Sequence, residues 1–585
     1  MIYKAPGIYI APEPKRIEPI TLSNKCVTGF IGIAERGPIH EGVRIKSFKQ
    51  YQKIFGGFTG HSYLPYAVYS YFHTGGKECV VIRTAHLNED NDINSASKAS
   101  MICKDINENT SFEIKALSEG IWGNNIQLKL SYINSDTATV LKIDTENREW
   151  IEIESTEDFQ VEDTICIWNR DRKEYKIISQ IAGNHIYFDS RLDTIIDSDN
   201  QEIYCGNVRF NIKITHEKDV EEYFFLSINE DDDKYFIDEI NQQSGLVEIN
   251  KTGAISTPYE ISSENLQGGK NGVLSLTPAD FIGYYKGLED NKGIGIFEAY
   301  NDVSLIAAPD VLLFEEYIYN DLDRAKKDIF IVQKAMIDQC ERLGNRFVIL
   351  DLPLVKDVIE LMKWTGKFDS KVAAVYYPRI EMINPEDISS LSTVIVPPSG
   401  HIAGIYIDCD EKEGIFRAPA NKFIKGAVGL TERIDDEVYE IIYPKGINCL
   451  RYIPGRGIKV WGARTLSSDI SWRYINVRRT FSAISESIKQ GTRWAVFETN
   501  DMALRKRIVR HIYAFLLDLW RKGFMSGVVP EDGFYIRCDD ELNPPEEIDA
   551  GRINIEIGIA IARPAEFLVI KIRSKQEESM ILIEG

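Results

Sequence analysis

Short apolar runs that alternate with helical segments constrain the fold of this chain more than any other feature. Three of these runs lie at residues 305–309, 347–351 and 372–377. Strands that are apolar on both faces are typical of parallel sheets covered by helices. Between the first two runs, helical periodicity at 325–343 ends at Gly344, a typical C-terminal stop. This alternation predicts an α/β fold with a doubly wound sheet.

The N-terminal part of the chain has the same character. Strand-like residues at 27–34 and 79–83 enclose an aromatic-rich helical segment near 63–73. We therefore assign residues 23–105 and 275–444 to one middle α/β domain. Because 585 residues exceed what a single hydrophobic core usually organises, the chain is expected to contain further domains.

Residues 106–274, which separate the two halves of this domain, follow a different pattern. Apolar and polar residues alternate at a period of two, for example at 112–116 and 126–130, as is typical of half-buried strands. The part from 133 to 205 is also acidic and polar. We predict a β-rich insertion at the surface of the molecule.

Residues 1–22 are predicted to form an extended N-terminal linker arm. Four prolines between residues 6 and 19 exclude a helix. The arm nevertheless contains residues that favour strands, namely Tyr3, Ile8, Tyr9 and Ile10. Terminal arms are either disordered or docked, and this apolar content favours docking on another surface.

Residues 445–585 are predicted to form a C-terminal mixed domain, so that the fold class is α/β and α+β with several domains. The strongest helix of this domain is capped by Asn500 or Asp501 and ends at Gly523. A strand with one apolar face follows, and a second strand is predicted at 567–573. The apolar face consists of isoleucines at a period of two: Ile553, Ile555, Ile557, Ile559 and Ile561.

Charge is distributed unevenly along the chain. Residues 445–530 contain 16 Lys/Arg and 5 Asp/Glu, a net charge of +11, whereas the remainder has 52 basic and 84 acidic residues, a net charge of −32. The strong helix alone contributes Arg505, Lys506, Arg507 and Arg510. A basic face on an acidic chain indicates an acidic partner. The overall charge of −21 favours a protein over a nucleic acid, whose phosphates would be repelled.

Motifs that would carry chemistry are incomplete. The glycine-rich turn before Lys270 lacks the first glycine of a phosphate loop, and Asn271 stands where that loop needs Ser or Thr. Ser399 and His401 are close in sequence but lack a G-x-S-x-G elbow. The histidines show no metal-ligand spacing, and the acidic triplet at 231–233 lacks the ligand pattern of a calcium loop. We predict no catalytic residue, no cofactor and no metal.

The cysteines and the N-terminus predict where the chain is made. The nine cysteines are scattered and include no C-x-x-C pair, which argues against a disulfide framework. The N-terminus has no signal-peptide core, and no apolar run approaches the 18 residues of a membrane span. We expect synthesis in a bacterial cytoplasm, without insertion into a membrane.

Nine short motifs, taken in order, resemble the phage tail sheath family, which includes contractile phage tails, contractile bacteriocins and phage-like contractile injection systems. The resemblance covers most of the chain apart from 133–205 and the residues after Lys575. The motifs lie at 3–9 (YKAPGIY), 29–32 (GFIG), 55–57 (FGG), 117–124 (LSEGIWGN), 268–272 (GGKNG), 374–378 (AVYYP), 396–404 (VPPSGHIAG), 418–421 (APAN) and 460–465 (VWGART).

The resemblance implies a structural protein and not an enzyme. Family members combine an inner domain, built from the N-terminal arm and the C-terminal region, with a middle α/β domain and variable outward insertions. Their subunits form hexameric rings that stack helically around a tube of a second protein, and contraction drives the tube through a target envelope. The implied partners are further copies of the chain, the inner tube protein, and baseplate and terminator proteins.

Two expectations about residues follow from this resemblance. The arm and the isoleucine strand are expected to pair as strands with neighbouring subunits, because their edges are otherwise incomplete. The basic residues of the strong helix are expected to face an acidic inner tube. The alternative is that they only balance the acidic loop 539–549 of the same subunit.

Several functional alternatives stay open at the level of sequence. A single chain with fused halves favours a phage tail or an extracellular or thylakoid-type injection system over type VI secretion, whose sheaths are usually split over two chains. A baseplate or other structural protein of the same machine is one alternative to a sheath. A nucleotide-dependent enzyme on a doubly wound fold is another, and the missing phosphate loop speaks against it.

Overall fold

The computed structural model describes residues 18–23, 27–87, 94–105, 109–161, 163–170, 172–193, 202–253, 258–285, 291–387, 389 and 391–566. These residues form a mixed α/β molecule with several sheets, which confirms the coarse fold class.

The strands are β1 (Val27–Gly32), β2 (Gly42–Ile45), β3 (Cys79–Arg83), β4 (Ser100–Lys104), β5 (Thr110–Ala116), β6 (Gln127–Ile143), β7 (Trp150–Ile153), β8 (Thr164–Trp168), β9 (Lys173–Ala182), β10 (His185–Phe188), β11 (Tyr204–His216), β12 (Asp219–Leu226), β13 (Val247–Lys251), β14 (Ile261–Asn265), β15 (Val303–Ala307), β16 (Phe347–Leu350), β17 (Ala373–Tyr377), β18 (Ile380–Ile383), β19 (Thr393–Val396), β20 (Ala427–Leu430), β21 (Ile447–Ile453), β22 (Gly457–Trp461), β23 (Phe534–Arg537) and β24 (Glu556–Ile559). The helices are α1 (Phe48–Phe55), α2 (Leu64–Thr74), α3 (Phe236–Gln243), α4 (Pro278–Ile282), α5 (Leu322–Leu343), α6 (Val358–Thr365), α7 (Ser399–Lys412), α8 (Asp436–Ile442), α9 (Ile475–Gly491), α10 (Met502–Arg521), α11 (Pro530–Gly533) and α12 (Pro545–Asp549).

The central sheet has eight strands in the order β2-β3-β1-β15-β16-β17-β21-β22. Its inner strands are parallel, and the edge strands β2 and β22 run antiparallel to their neighbours. The chain passes from β1 to β3 on one side and returns to β15 on the other, the reversal of a doubly wound sheet. Strands β1, β3, β16 and β17 are buried at every residue, as the apolar runs predicted.

Local sequence explains where the long helices begin and end. The side chain of Asp321 accepts hydrogen bonds from two backbone N–H groups of the first turn of α5. The same helix ends at Gly344, whose φ of 75° lies in the left-handed region that favours glycine. Both the helix and its predicted stop are confirmed.

The insertion contains two β assemblies with separate cores. Strands β6, β7, β10, β9, β8 and β11 close into a six-stranded antiparallel barrel, because β11 pairs with both β8 and β6. The barrel core includes Ile151, Ile165 and Ile186. A second core, under β4, β5 and β13, includes Phe112 and Phe236. The period-two pattern of this region correctly predicted strands.

The C-terminal helices and the hairpin-like pair β23–β24 share a further core, called here the third core. The apolar side of α10 supplies its centre, with Leu504, Ile508 and Phe515 all buried. Strands β21 and β22 lie earlier in the predicted 445–585 domain but complete the central sheet instead. They belong to that sheet because β21 pairs with β17, a contact that no linker signal in the sequence indicates.

Candidate assembly surface

The isoleucine-rich segment contributes strand β24, which pairs antiparallel with β23. Its odd-numbered side chains have the predicted apolar face: Ile553, Ile555, Ile557 and Ile559 pack against the third core, and Ile561 is buried. The regular strand is shorter than the predicted run because Asn543 fixes the residues before it. The Asn543 amide donates to the carbonyl of Asn554 at 2.9 Å, and its Oδ1 accepts from the Asn554 N–H at 2.7 Å.

Within the described residues, β23 and β24 form a sheet of two strands only. One face of this sheet is supported by α10, where the rings of Tyr513 and Phe534 lie 5.4 Å apart. A two-stranded sheet is marginally stable alone, and each of its edges presents backbone donors and acceptors. These edges are therefore suited to accept further strands.

The first described residues of the chain lie against the helices of the same module. Ile20 is buried in the third core, and the backbone N–H of Ser23 donates to Oγ of Ser487 at 2.9 Å. Gly491 at the end of α9 permits this approach, since a Cβ there would lie 2.5 Å from Cγ1 of Ile20. The first described residues therefore pack on the same third core that supports the β23–β24 sheet.

Two predicted parts of the surface lie outside the described residues. They are the arm residues Tyr3, Ile8, Tyr9 and Ile10 and the strand at 567–573.

Helix α10 separates its apolar and basic residues as the sequence predicted. Asp501 caps it, with its side chain accepting a hydrogen bond from the Leu504 N–H at 2.6 Å. Lys506, Arg507 and Arg510 are exposed on the polar side. Three of the four predicted tube-facing residues therefore present their charge to solvent.

Arg505 differs from these three. Its side chain is buried, and its Nη1 lies 3.4 Å from Oδ1 of Asp540 in the acidic loop. The alternative of charge balance within the subunit therefore describes Arg505, while Lys506, Arg507 and Arg510 are exposed.

The loop between α9 and α10 adds an apolar feature that sequence reasoning missed. The guanidinium of Arg507 lies 5.2 Å from the ring centroid of Trp494, so the loop is held against the basic side of α10. Phe497 at the loop tip is fully exposed and has a φ of 68°, and Val496 is also exposed. A valine–phenylalanine pair between two polar segments is the signal in the sequence that marks it.

The crevice where doubly wound sheets bind ligands is filled here by a carboxylate of the chain itself. Asp310, after β15, is completely buried. It accepts hydrogen bonds from the backbone N–H of Ile33, at 2.6 Å, and of Tyr63, which precedes α2. Burial raises the pKa of Asp310 to about 7, although these hydrogen bonds lower it. The Tyr63 N–H, which could hold a phosphate at the start of α2, is thus occupied.

The described residues contain neither a metal-binding cluster nor a membrane-spanning helix. No group of three or more His, Cys, Asp or Glu side chains there is arranged to hold a metal ion. No helix in this part of the chain combines the length and apolar composition of a membrane span.

Residues 322–466 match the family model of the phage tail sheath protein central domain, and residues 467–575 match that of the phage tail sheath C-terminal domain. A prophage major tail sheath protein of Pseudomonas aeruginosa strain UCBPP-PA14 is 27% identical over 239 residues, which span 40% of this chain and 59% of that protein. The tail sheath protein of Escherichia phage P2 is 21% identical over 248 residues, 41% of this chain and 60% of that protein. The chain thus spans about three fifths of these relatives.

Solved structures are similar in fold from end to end. The helical sheath of the anti-feeding prophage in its contracted state is 17% identical, with a TM-score of 0.53, over 98% of this chain and 100% of that chain. The sheath complex of the extracellular contractile injection system PVC, also contracted, is 17% identical, with a TM-score of 0.52, over 99% of both chains. A chain in the anti-feeding prophage baseplate structure gives 17% identity and a TM-score of 0.52, over 98% of this chain and 100% of that chain. Residues 322–575 thus match both domains of the phage tail sheath family in order, and the family models, the curated relatives and the solved sheaths together support this family.

Proposed function

We propose that this chain is the structural subunit of a contractile sheath. It polymerises as helically stacked hexameric rings around an inner tube, and contraction drives the tube through a target membrane. The observation that carries the proposal is the two-stranded β23–β24 sheet, which offers strand-accepting edges in the C-terminal domain of a family member. Copies of the chain, the inner tube, and baseplate and terminator proteins are its partners.

Strand pairing between subunits supplies the links in this proposal. The N-terminal arm and the C-terminal segment after 566 add strands to the β23–β24 sheets of neighbouring copies. Pairing of about six residues makes several hydrogen bonds at about 0.5–1.5 kcal/mol each, which gives several kcal/mol for every link.

Deletion of residues 1–17 tests the links. The deletion leaves Ile20 in the third core, so the subunit should fold with an unchanged melting temperature. We expect a soluble subunit that forms no cylinders in negative-stain micrographs, because the strand that joins neighbours is missing. Cylinders at wild-type yield would contradict the proposed role of the arm.

The exposed basic residues of α10 face an acidic inner tube in this proposal. Charge contacts suit a surface that must hold and then release, since they are reversible and do not need close packing. Each exposed pair contributes only about 0–1 kcal/mol, but every subunit of a ring repeats it. Salt should loosen the contact, because screening acts within about 10 Å at 0.1 M.

A double charge reversal, Lys506→Glu with Arg510→Glu, tests this contact while leaving the buried Arg505 in place. We expect folded subunits that still make contracted cylinders but fail to form the extended, tube-filled sheath with a co-expressed tube protein. Lys327→Glu with Lys334→Glu, two exposed positions on α5, is the charge-matched control and should assemble normally. Tube-filled sheaths from the α10 variant at control yield would remove the tube-facing assignment.

The energy for contraction is stored when the extended lattice assembles, and no nucleotide is consumed. The occupied crevice at Asp310 supports this part of the proposal.

A place in the baseplate is the second candidate, favoured by the similar chain in the anti-feeding prophage baseplate structure. A baseplate subunit would form one ring, so long hollow cylinders of the purified chain would decide for the sheath.

A further inference from the structure

The last described residue of the chain is tied to the central sheet by a buried ion pair. Nε of Arg464 donates to Oε1 of Glu566 at 3.0 Å, and Nη2 donates to the other carboxylate oxygen. The two side chains are only 9% and 10% exposed. Arg464 follows β22, whereas Glu566 follows β24, so the pair joins two modules 102 residues apart in sequence.

The surroundings of the pair fix its position from two sides. The Tyr443 hydroxyl donates to Glu566, and the Tyr443 ring centroid lies 4.1 Å from the Arg464 guanidinium. The backbone N–H of Arg464 donates to Oδ1 of Asn448 at 2.7 Å, and the Asn448 amide donates to the carbonyl of Val375 at 3.1 Å. Arg464 is therefore anchored to β17 and β21 inside the central sheet.

The pair is charged when the subunit assembles. Burial alone would raise the pKa of Glu566, but hydrogen bonds from Arg464 and Tyr443 outweigh it and hold the pKa below its ordinary value. A carboxylate that stays ionised keeps its full attraction to the guanidinium throughout the neutral range.

A second contact holds the chain just before this pair. The Asn476 side chain, on α9, donates to the carbonyl of Ala562 at 3.1 Å and to that of Phe416 at 2.7 Å. Residues 562–566 are thus fixed at both ends. The last described residue therefore lies at the central sheet, and not at the β23–β24 sheet.

We propose that Arg464 is a positioning residue for assembly, which fixes the point and direction at which residues 567–585 leave the subunit. Load from a neighbour paired with that segment then reaches the central sheet, and not only the small β23–β24 sheet. This inference rests on the proposed function in one respect, namely that the C-terminal segment links subunits. Release of Glu566 would free residues 563–566 and add up to about 14 Å of slack to each link.

A matched buried ion pair separates this role from simple stabilisation. Arg479 and Asp410 are 3% and 8% exposed, with Nη1 of Arg479 donating to Oδ1 of Asp410 at 2.9 Å. That pair joins α9 to α7, and neither of its side chains hydrogen-bonds to residues 562–566. Glu566→Gln and Asp410→Asn are therefore isosteric changes of equal type at the two sites.

The first measurement uses the unassembled subunit and amide hydrogen exchange. We expect exchange at the Ala562 amide, which donates to the Phe524 carbonyl at 3.0 Å, to accelerate at least tenfold in Glu566→Gln and to stay unchanged in Asp410→Asn. Tyr443→Phe removes only one contact and should give a smaller acceleration of about threefold, which keeps the test available if Glu566→Gln does not fold. Unchanged exchange in the variants at Glu566 and Tyr443 would show that the Arg464–Glu566 pair does not hold the end of the described chain.

The second measurement compares cylinder yield by electron microscopy. Glu566→Gln is expected to reduce the yield at least tenfold, whereas Asp410→Asn should retain it at a comparable melting temperature. Equal yields from the two variants would overturn the positioning role. Failure of the wild-type chain to form cylinders would instead count against the proposed sheath function. The exchange measurement would still test whether the Arg464–Glu566 pair holds the end of the described chain.

Discussion

Phe497 combines two unfavourable local properties in the free subunit. Its φ of 68° lies in the left-handed region, which costs a residue with a side chain about 1–2 kcal/mol. Its ring is fully exposed, so no apolar burial within the described residues offsets that cost. The stability of the isolated fold therefore does not explain this conformation. Strained residues are common at contact sites, and this one lies on the loop beside the basic side of α10.

Replacement of Phe497 by glycine should leave the subunit as stable as before or more stable. Relief of the left-handed strain is partly cancelled by the larger entropy of glycine in the unfolded chain, about 0.5–1 kcal/mol. The expected net gain in the free energy of unfolding is about 0–1 kcal/mol, measured by urea denaturation. Leu391→Gly is the matched control, since Leu391 is also exposed and has a φ of 53°. A loss above about 1 kcal/mol at Phe497 alone would mean that its ring packs on the fold.

Among the elements, helices α2 and α7 approach each other unusually closely. A Cβ on Gly400 would lie 2.4 Å from Cα of Ala67, and one on Gly404 would lie 1.9 Å from Oγ1 of Thr74. Ser399 and His401, which are close in sequence but lack a nucleophile elbow, lie on α7. In the structure both are buried in this packing, and burial lowers the pKa of His401 to about 3, so the imidazole is neutral.

The substitution Gly404→Ala tests this packing. Alanine favours a helix by about 1 kcal/mol over glycine, but the added methyl would force the two helices apart. We expect a net loss of about 1–3 kcal/mol in the free energy of unfolding. The control is Gly60→Ala, where an added Cβ would meet nothing within 4 Å and stability should change little. Equal stabilities of the two variants would contradict the close approach.

Elements with a strong local signal could be predicted from the sequence, and their partners could not. The apolar runs correctly gave β16 and β17, and the stop at Gly344 correctly ended α5. The closure of the barrel depends on pairing between β6 and β11, which are far apart in sequence. Arg505 contacts Asp540, and helical periodicity cannot reveal a partner 35 residues away.

At the scale of the whole molecule, the first described residues and the isoleucine-rich segment meet in one module. Ile20 and the isoleucines of 553–559 pack on the same third core, although they are more than 500 residues apart in sequence. The central sheet and the insertion carry separate cores, and the last described residue, Glu566, is bound to the central sheet through Arg464.

The barrel of the insertion is the part of the molecule that the remaining fold needs least. Apart from its own core, no hydrophobic cluster of the described chain includes a residue between 135 and 207. Strands β6 and β11 lead into and out of the barrel. They pair with each other where they enter it, with Asn134 opposite Val208. Its removal would therefore leave two antiparallel strands whose ends face each other.

We predict that replacement of residues 135–207 by an Asn-Gly turn leaves a folded subunit that still forms cylinders of smaller diameter. A two-residue turn of this type matches the twist of antiparallel strands, so Gln127–Asn134 should stay paired with residues 208–215 of β11. Thermal unfolding should occur within a few degrees of the full chain, because the other cores keep all their side chains. Deletion of 236–251, which removes Phe236 and β13 from the second core, is the contrasting control and should abolish folding. An insoluble or non-polymerising barrel deletion would show that the barrel supports the subunit or its lattice, and that the insertion is not a separable decoration.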